Sequence, residues 1–112
     1  MDRLFVPLSS EPFNDFKFHN KLYELRSYGR NFTEEYACNG RKVELRRGYS
    51  GESLFGVIGE VVIGTIEEVF SKLDFKKIEP RLNSIEEAIQ ENTNRLGRKE
   101  RYIAFQIILN NK

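Results

Sequence analysis

The chain has 112 residues, 39% hydrophobic and 31% charged, a size that supports one hydrophobic core and a composition that excludes a disordered chain. Eighteen Lys and Arg stand against seventeen Asp and Glu, a net charge of +1, so bulk charge announces no nucleic-acid partner and any electrostatic footprint has to be local. The single Cys38 excludes an intramolecular disulfide, and no N-terminal run is long or apolar enough for a signal peptide or a membrane span; the expectation is one domain, 1–112, monomeric, in a reducing cytoplasm.

In chain order, Arg3 to Leu8 is an apolar, strand-like run that Pro7 limits to a sheet edge or an entry segment. Glu11 to Asn20 places Pro12 near a helix start and repeats Phe13, Phe16 and Lys17 at helical spacing, which predicts a short helix. His19, near its end, reads as a surface or capping residue. Leu22 to Arg26 alternates, with Leu22, Glu24 and Arg26 on one face of a strand and Tyr23 and Leu25 on the other. Residues 28–39 lack a sustained period and predict a loop closed by the turn signal Asn39-Gly40, with Cys38 a small packed residue rather than a nucleophile. Lys42 to Arg46 alternates again, Val43 and Leu45 inward, Glu44 and Arg46 outward, and the turn before it predicts a hairpin or an adjacent strand.

Gly48 to Ser53 is turn chemistry. Leu54 to Ile63 is apolar on both faces and interrupted by Gly56 and Gly59, the pattern of a long buried strand bent by a bulge or by barrel curvature. Thr65 and Glu68 have capping-box spacing, and Ile66, Val69, Phe70 and Leu73 follow at i, i+3, i+4 and i+7 of a helix. Pro80 breaks the chain; Ser84 and Glu87 open a second helix on Ile85, Ala88 and Ile89, which frays near Asn94. Arg95 to Arg101 is polar and basic, and Tyr102 to Leu109 is a closing strand. The sum is an α+β chain whose curved strands form a small barrel with helices over its ends, since closure removes exposed edges.

The stretch NKLYELR, Asn20 to Arg26, resembles the signature of the ASCH family, a helix-ending glycine followed by Lys, two residues, Glu, one residue and Arg. Lys21, Glu24 and Arg26 match, and Asn20 stands in the place of the glycine. GTIEEVFSKLDF, IEPRLNSIEEAI and RYIAFQIIL resemble the helix, proline-bearing link with second helix, and closing strand of small archaeal stand-alone ASCH proteins. The family's Gly-Asp before its next strand appears as Gly40-Arg41, which exchanges a negative charge for a positive one. The resemblance implies a PUA-like β-barrel of about five to six strands with about three short helices, RNA or a modified nucleoside as partner, and no cofactor.

On a strand, Glu24 and Arg26 point to the same side and either form a structural ion pair or jointly grip a polar ligand. Lys21 has the opposite parity and joins them only if the chain bends at the helix exit, a bend the resemblance implies. In such a cationic cleft Lys21 would meet a phosphate or carbonyl oxygen, Arg26 would offer a forked donor, and Glu24 would orient Arg26 or accept from a base amino group. Arg41, Lys42, Arg46 and Arg47 form a basic run, and Arg95, Arg98, Lys99 and Arg101 a second; either attracts phosphodiesters or is a solvated face, while Tyr23, Tyr28, Tyr49 or Tyr102 offers a surface for a stacked base. One histidine and one cysteine supply no metal-ligand set, so no metal is expected. The function this composes is RNA or modified-nucleotide binding through Lys21, Glu24, Arg26, Arg41, Arg46 and Arg47. The alternative is a small hydrolase, a ribonuclease or an acylcytidine amidohydrolase, with Lys21 and Glu24 catalytic. Against the amidohydrolase, Glu24 occupies the place where the resemblance puts a threonine nucleophile, and a carboxylate lacks the hydroxyl for acyl transfer.

Overall fold

Alternation in the strands and capping at the helices are carried directly into the computed structural model, which describes residues 2–110. The order is β1 (Leu4–Leu8), α1 (Ser10–Phe18), β2 (Tyr23–Ser27), β3 (Lys42–Arg47), β4 (Ser53–Gly64), α2 (Ile66–Lys72), a 3-10 turn (Phe75–Lys77), α3 (Ile85–Leu96) and β5 (Tyr102–Leu109). The strands make one mixed sheet, β1-β3-β4-β5-β2, with β1 parallel to β3 and the other pairs antiparallel. This is the α+β, PUA-like half-barrel expected, with five strands and three α-helices.

Each sheet face has its own core. Leu4, Val6 and Leu8 of β1, Val43 and Leu45 of β3, Ile58 of β4, and Ile103, Phe105 and Ile107 of β5 are buried on one face, sealed by Phe13 and Phe16 of α1. Tyr23, Leu25, Val62, Tyr102 and Ala104 are buried on the other, under α2 and α3. Strand β5 therefore feeds alternate residues to both clusters, which is why its sequence is apolar almost throughout.

Curvature enters at β4, whose register with β5 shifts between Ile58 and Val61. Gly59 lies in that bulge; a Cβ there would sit 2.4 Å from Gln106 Oε1, the atom that accepts the Glu60 N–H at 3.0 Å. Both capping residues act as predicted: the Thr65 and Ser84 hydroxyls accept from the Glu68 and Glu87 amides. Helix α3 does not fray at Asn94. It continues to Leu96, held by Gln90 Nε2 to Asn94 Oδ1 at 2.8 Å and Arg95 Nη2 to Asn92 Oδ1 at 2.8 Å, with Leu96 packed on the second core.

The predicted adjacency of β2 and β3 is not found. They lie apart in the sheet, β3 between β1 and β4 and β2 on the outer side of β5. Asn39-Gly40 does turn, with the Gly40 amide bonded to the Ile58 carbonyl at 2.7 Å, but it leads the chain onto β4 rather than back to β2. Strand β2 needs burial on both faces and finds it beside β5, whereas the one-sided pattern of β3 matches the inward rows of β1. No helix among the described residues is long and apolar enough to cross a membrane.

Candidate ligand cleft between the edge strands

The two edges of the sheet, β1 and β2, face each other across a cleft of about 470 Å³ walled by Pro7, Asp15, Lys21, Glu24, Arg26, Glu79, Arg81 and Arg95, among others. Local sequence explains the wall. Glu24 pairs with Phe105 and Arg26 with Ile103, so their parity aims both at the inner face of the barrel, at its open margin. Arg26 spans the margin, its Nη2 donating to the Pro7 carbonyl at 2.9 Å.

The bend that brings Lys21 to the same place is at Asn20, whose φ is 60°. That left-handed conformation favours glycine and is tolerated by asparagine, so Asn20 serves the helix exit as the signature glycine would. The His19 and Lys21 amides both donate to the Asp15 carbonyl, at 3.0 and 3.1 Å, which folds the exit back on the helix. His19 is the exposed C-cap, as predicted.

Lys21 and Glu24 are only 4% and 2% exposed. Lys21 Nζ donates to the Ile78 carbonyl, lies 5.3 Å from the Phe16 ring centroid, and sits between two carboxylates, 3.9 Å from Glu24 Oε1 and 4.0 Å from Glu79 Oε1. Neither distance is a hydrogen bond, so the ammonium is attracted by both acids and bonded by neither. Glu24 Oε2 accepts from Arg26 Nε at 2.6 Å. Glu79 Oε2 accepts from Asn92 Nδ2 at 3.2 Å, and the fully buried Asn92 also receives Arg95. Asp15 holds Arg81 through two bonds, at 2.7 and 3.2 Å, and Arg81 reaches on to Glu11.

Burial pushes the Lys21 ammonium below its ordinary pKa despite the two carboxylates beside it. Burial would raise Glu24, but Arg26 and Lys21 together outweigh it and hold the carboxyl below its usual range. Glu79, where burial prevails over Lys21 and Arg95, is raised. Burial thus disfavours the charged form of Lys21 and of Glu79 alike, while Glu24 is held ionised between its two cations.

Of the six predicted ligand-binding residues, Lys21, Glu24 and Arg26 converge. Arg41, Arg46 and Arg47 do not line the cleft. Arg41 donates to the Asp2 and Tyr36 carbonyls at 2.9 and 2.6 Å; Arg46 is paired with Glu44 and lies over the Phe5 ring; Arg47 donates to Asn14 Oδ1 at 3.1 Å and covers Phe13. Nor is the cleft a cationic one. Its walls carry Glu11, Asp15, Glu24, Glu79 and Glu91 beside Lys21, Arg26, Arg81 and Arg95. Tyr23 and Tyr102 offer no stacking surface: both are buried, their hydroxyls donating to Glu60 and to the Gly97 carbonyl. Glu79 was not singled out from the sequence, since it sits in the aperiodic link before Pro80; its one signal is that link's likeness to the ASCH pattern.

No family model matches the sequence, and no curated protein does. Solved structures match along nearly its whole length. The hypothetical protein PH0355 superposes with a TM-score of 0.79 at 18% identity, over 96% of this chain and 99% of that one. A protein from Pyrococcus furiosus gives 0.72 at 19% identity, over 99% and 100%. The ASCH protein from Zymomonas mobilis gives 0.64 at 15% identity, over 93% of this chain and 65% of its own. At these identities the likeness establishes the fold, and the fold is the one the NKLYELR resemblance implied.

Proposed function

We propose, from the ASCH-type fold and the cleft at its open margin, that the chain is an RNA-binding or modified-nucleotide-binding ASCH domain, with a nucleobase seated among Lys21, Glu24 and Arg26. The observation that carries this is the burial of Lys21 and Glu24 in the wall of an open cleft. Burying such charges costs on the order of several kcal/mol per ion before pairing, and these two, although almost wholly covered, border a polar opening rather than the apolar core. The array also fits the ligand. A base edge alternates donors and acceptors, and here an ammonium, a carboxylate and a guanidinium lie in a row, the two cations held by the Ile78 and Pro7 carbonyls.

Titration calorimetry against short single-stranded RNAs and against cytidine and acetylcytidine tests it. Lys21→Met, which keeps the stem packed on Phe16, weakens binding about tenfold to hundredfold, the worth of one charge-assisted hydrogen bond. Wild-type affinity matched by Lys21→Met and Glu24→Gln would remove the cleft as the site.

The buried Lys21 ammonium and the Glu79 carboxylate, 4.0 Å apart on the cleft wall, are the acid–base pair that favours a hydrolase as the second reading. Ser9, the N-cap of α1 whose side chain makes no capping bond, supplies a hydroxyl on the cleft wall. Release of cytidine from acetylcytidine, or RNA cleavage abolished by Lys21→Met, decides for that reading.

A further inference from the structure

Beyond the Pro7–Arg26 contact lies a second hollow, of about 840 Å³. Pro7 and Arg26 line both, so the two adjoin across a single ridge. Their chemistry differs. The cleft has carboxylates on its walls in slight excess over cations. Among the described residues lining the groove there are three cations, Arg26, Arg30 and Lys99, and no carboxylate. The acid that approaches its rim, Glu34, accepts from the Tyr28 hydroxyl at 2.5 Å. The groove's lining therefore draws an anion more strongly than the cleft's balanced walls, although Arg26 shares its charge with Glu24 and Glu34 stands at the rim.

The groove is also aromatic. Phe5, Tyr28, Phe32 and Tyr49 line it. The Arg26 guanidinium lies 4.7 Å from the Phe32 centroid and that of Arg101 3.9 Å from Tyr28, so those rings already carry a cation on one face. Tyr49 is different: it is 77% exposed and braced by Phe5, with ring centroids 6.0 Å apart. At the rim, Gly29 and Phe32 exchange backbone hydrogen bonds of 3.0 and 2.9 Å, closing a two-residue turn that holds Arg30 at φ 53°. A left-handed arginine is uncommon and costs backbone strain, yet here it sits on the wall of the cationic groove.

We infer that the groove takes the phosphate and the neighbouring base of a single-stranded RNA whose recognised base occupies the cleft; the inference rests on the nucleotide reading of that cleft. The phosphate lies against Arg30, Lys99 and the outer side of Arg26, and the neighbouring base stacks on Tyr49, since exposed aromatic faces beside cations bind single strands without needing a particular base. The ligand is then a polynucleotide, and a free nucleoside fills only half of the site.

Calorimetry with cytidine, acetylcytidine, their 3′ and 5′ monophosphates, and cytidine trinucleotides with and without the acetyl group tests this on the full chain. One of the two phosphates tightens nucleoside binding at least tenfold at low salt. The gain disappears in Arg30→Gly combined with Lys99→Ala, both of which leave nucleoside affinity unchanged. Tyr49→Ala weakens the trinucleotide about tenfold, the usual scale of one stacked base, and leaves the monophosphate as in wild type. A nucleoside bound in a Lys21-dependent way, with no gain from phosphate and no effect of Tyr49→Ala, would overturn the groove and leave the cleft reading intact. Absence of binding by every probe overturns both.

Discussion

Glu24 and Arg26 on β2, and Glu44 and Arg46 on β3, are the same pair of residues at the same spacing in two settings. Each carboxylate accepts from the arginine two residues on. In the first pair the Glu24 side chain is 3% exposed and Lys21 is buried beside it; in the second the side chains are 12% and 33% exposed, with Ser53 as a further donor to Glu44. In the first setting water is displaced and the charges answer to one another; in the second, solvent screens them. Sequence spacing cannot separate the two, and the energetic consequences differ several-fold.

The largest effect expected is from Glu24→Ala, which strands buried Lys21 with a single, partly desolvated carboxylate and leaves Arg26 without its acceptor. Breaking a buried pair in this way costs about 3–5 kcal/mol, readable as a lower urea midpoint. A loss below about 1 kcal/mol would erase the distinction between the two pairs.

Acid titration comes next, and the two cleft carboxyls contribute with opposite sign. The folded pKa of Glu24 is depressed, so its stabilisation is present above the ordinary value of 4.5 and is lost as pH falls through the lower folded value. The folded pKa of Glu79 is raised, so its ionised form burdens the fold above that value, and protonation relieves the burden as pH falls toward 4.5. Stability measured downward from neutral pH therefore first rises and then drops, and Glu79→Gln removes the initial rise. A wild-type curve that falls monotonically from neutrality would contradict this assignment.

On β3, Arg46→Ala lowers stability by about 1 kcal/mol, and the difference shrinks in high salt, because a pair that solvent still reaches is weaker and partly screened. The smallest change is expected at the helix exit. Asn20→Gly leaves stability within about 0.5 kcal/mol of wild type, since glycine relieves the left-handed backbone while adding unfolded-state freedom. Asn20→Val has no such relief; it displaces Lys21 and brings the cleft pair closer to the surface one.

What was legible in the sequence followed periodicity. The inward face of β3, the N-caps Thr65 and Ser84, the bulge near Gly59, and the shared parity of Glu24 and Arg26 are local patterns, and local geometry enforces them; of the two capping boxes expected, the reciprocal one forms at Thr65 and Glu68. Partnership was not legible: the Asn39-Gly40 signal describes a turn and says nothing about which strand awaits beyond it. Burial on both faces is what seats β2 beside β5, and the charged Glu24 hides it in the alternating sequence. Tyr23 and Tyr102 illustrate the same limit, since an amphipathic ring suits a stacking platform and a core position alike, and burial raises the Tyr23 phenol to about 12 with Glu60 as its acceptor. Glu79 and Arg81 enter the cleft through an irregular link, where no period predicts direction. Lys21 was readable only through the resemblance, because the turn at Asn20 breaks the alternation that would have pointed it away.

The guanidinium that reaches from β2 to the Pro7 carbonyl has a further effect, on how copies of the molecule meet. A sheet that stops short of closure offers two raw margins to any stray strand, a route to aggregation. On one margin the proline withholds an amide, and the arginine from the other already occupies the carbonyl of that same residue. The gap between the two margins is in this way guarded against polymerisation by the very side chain that frames it.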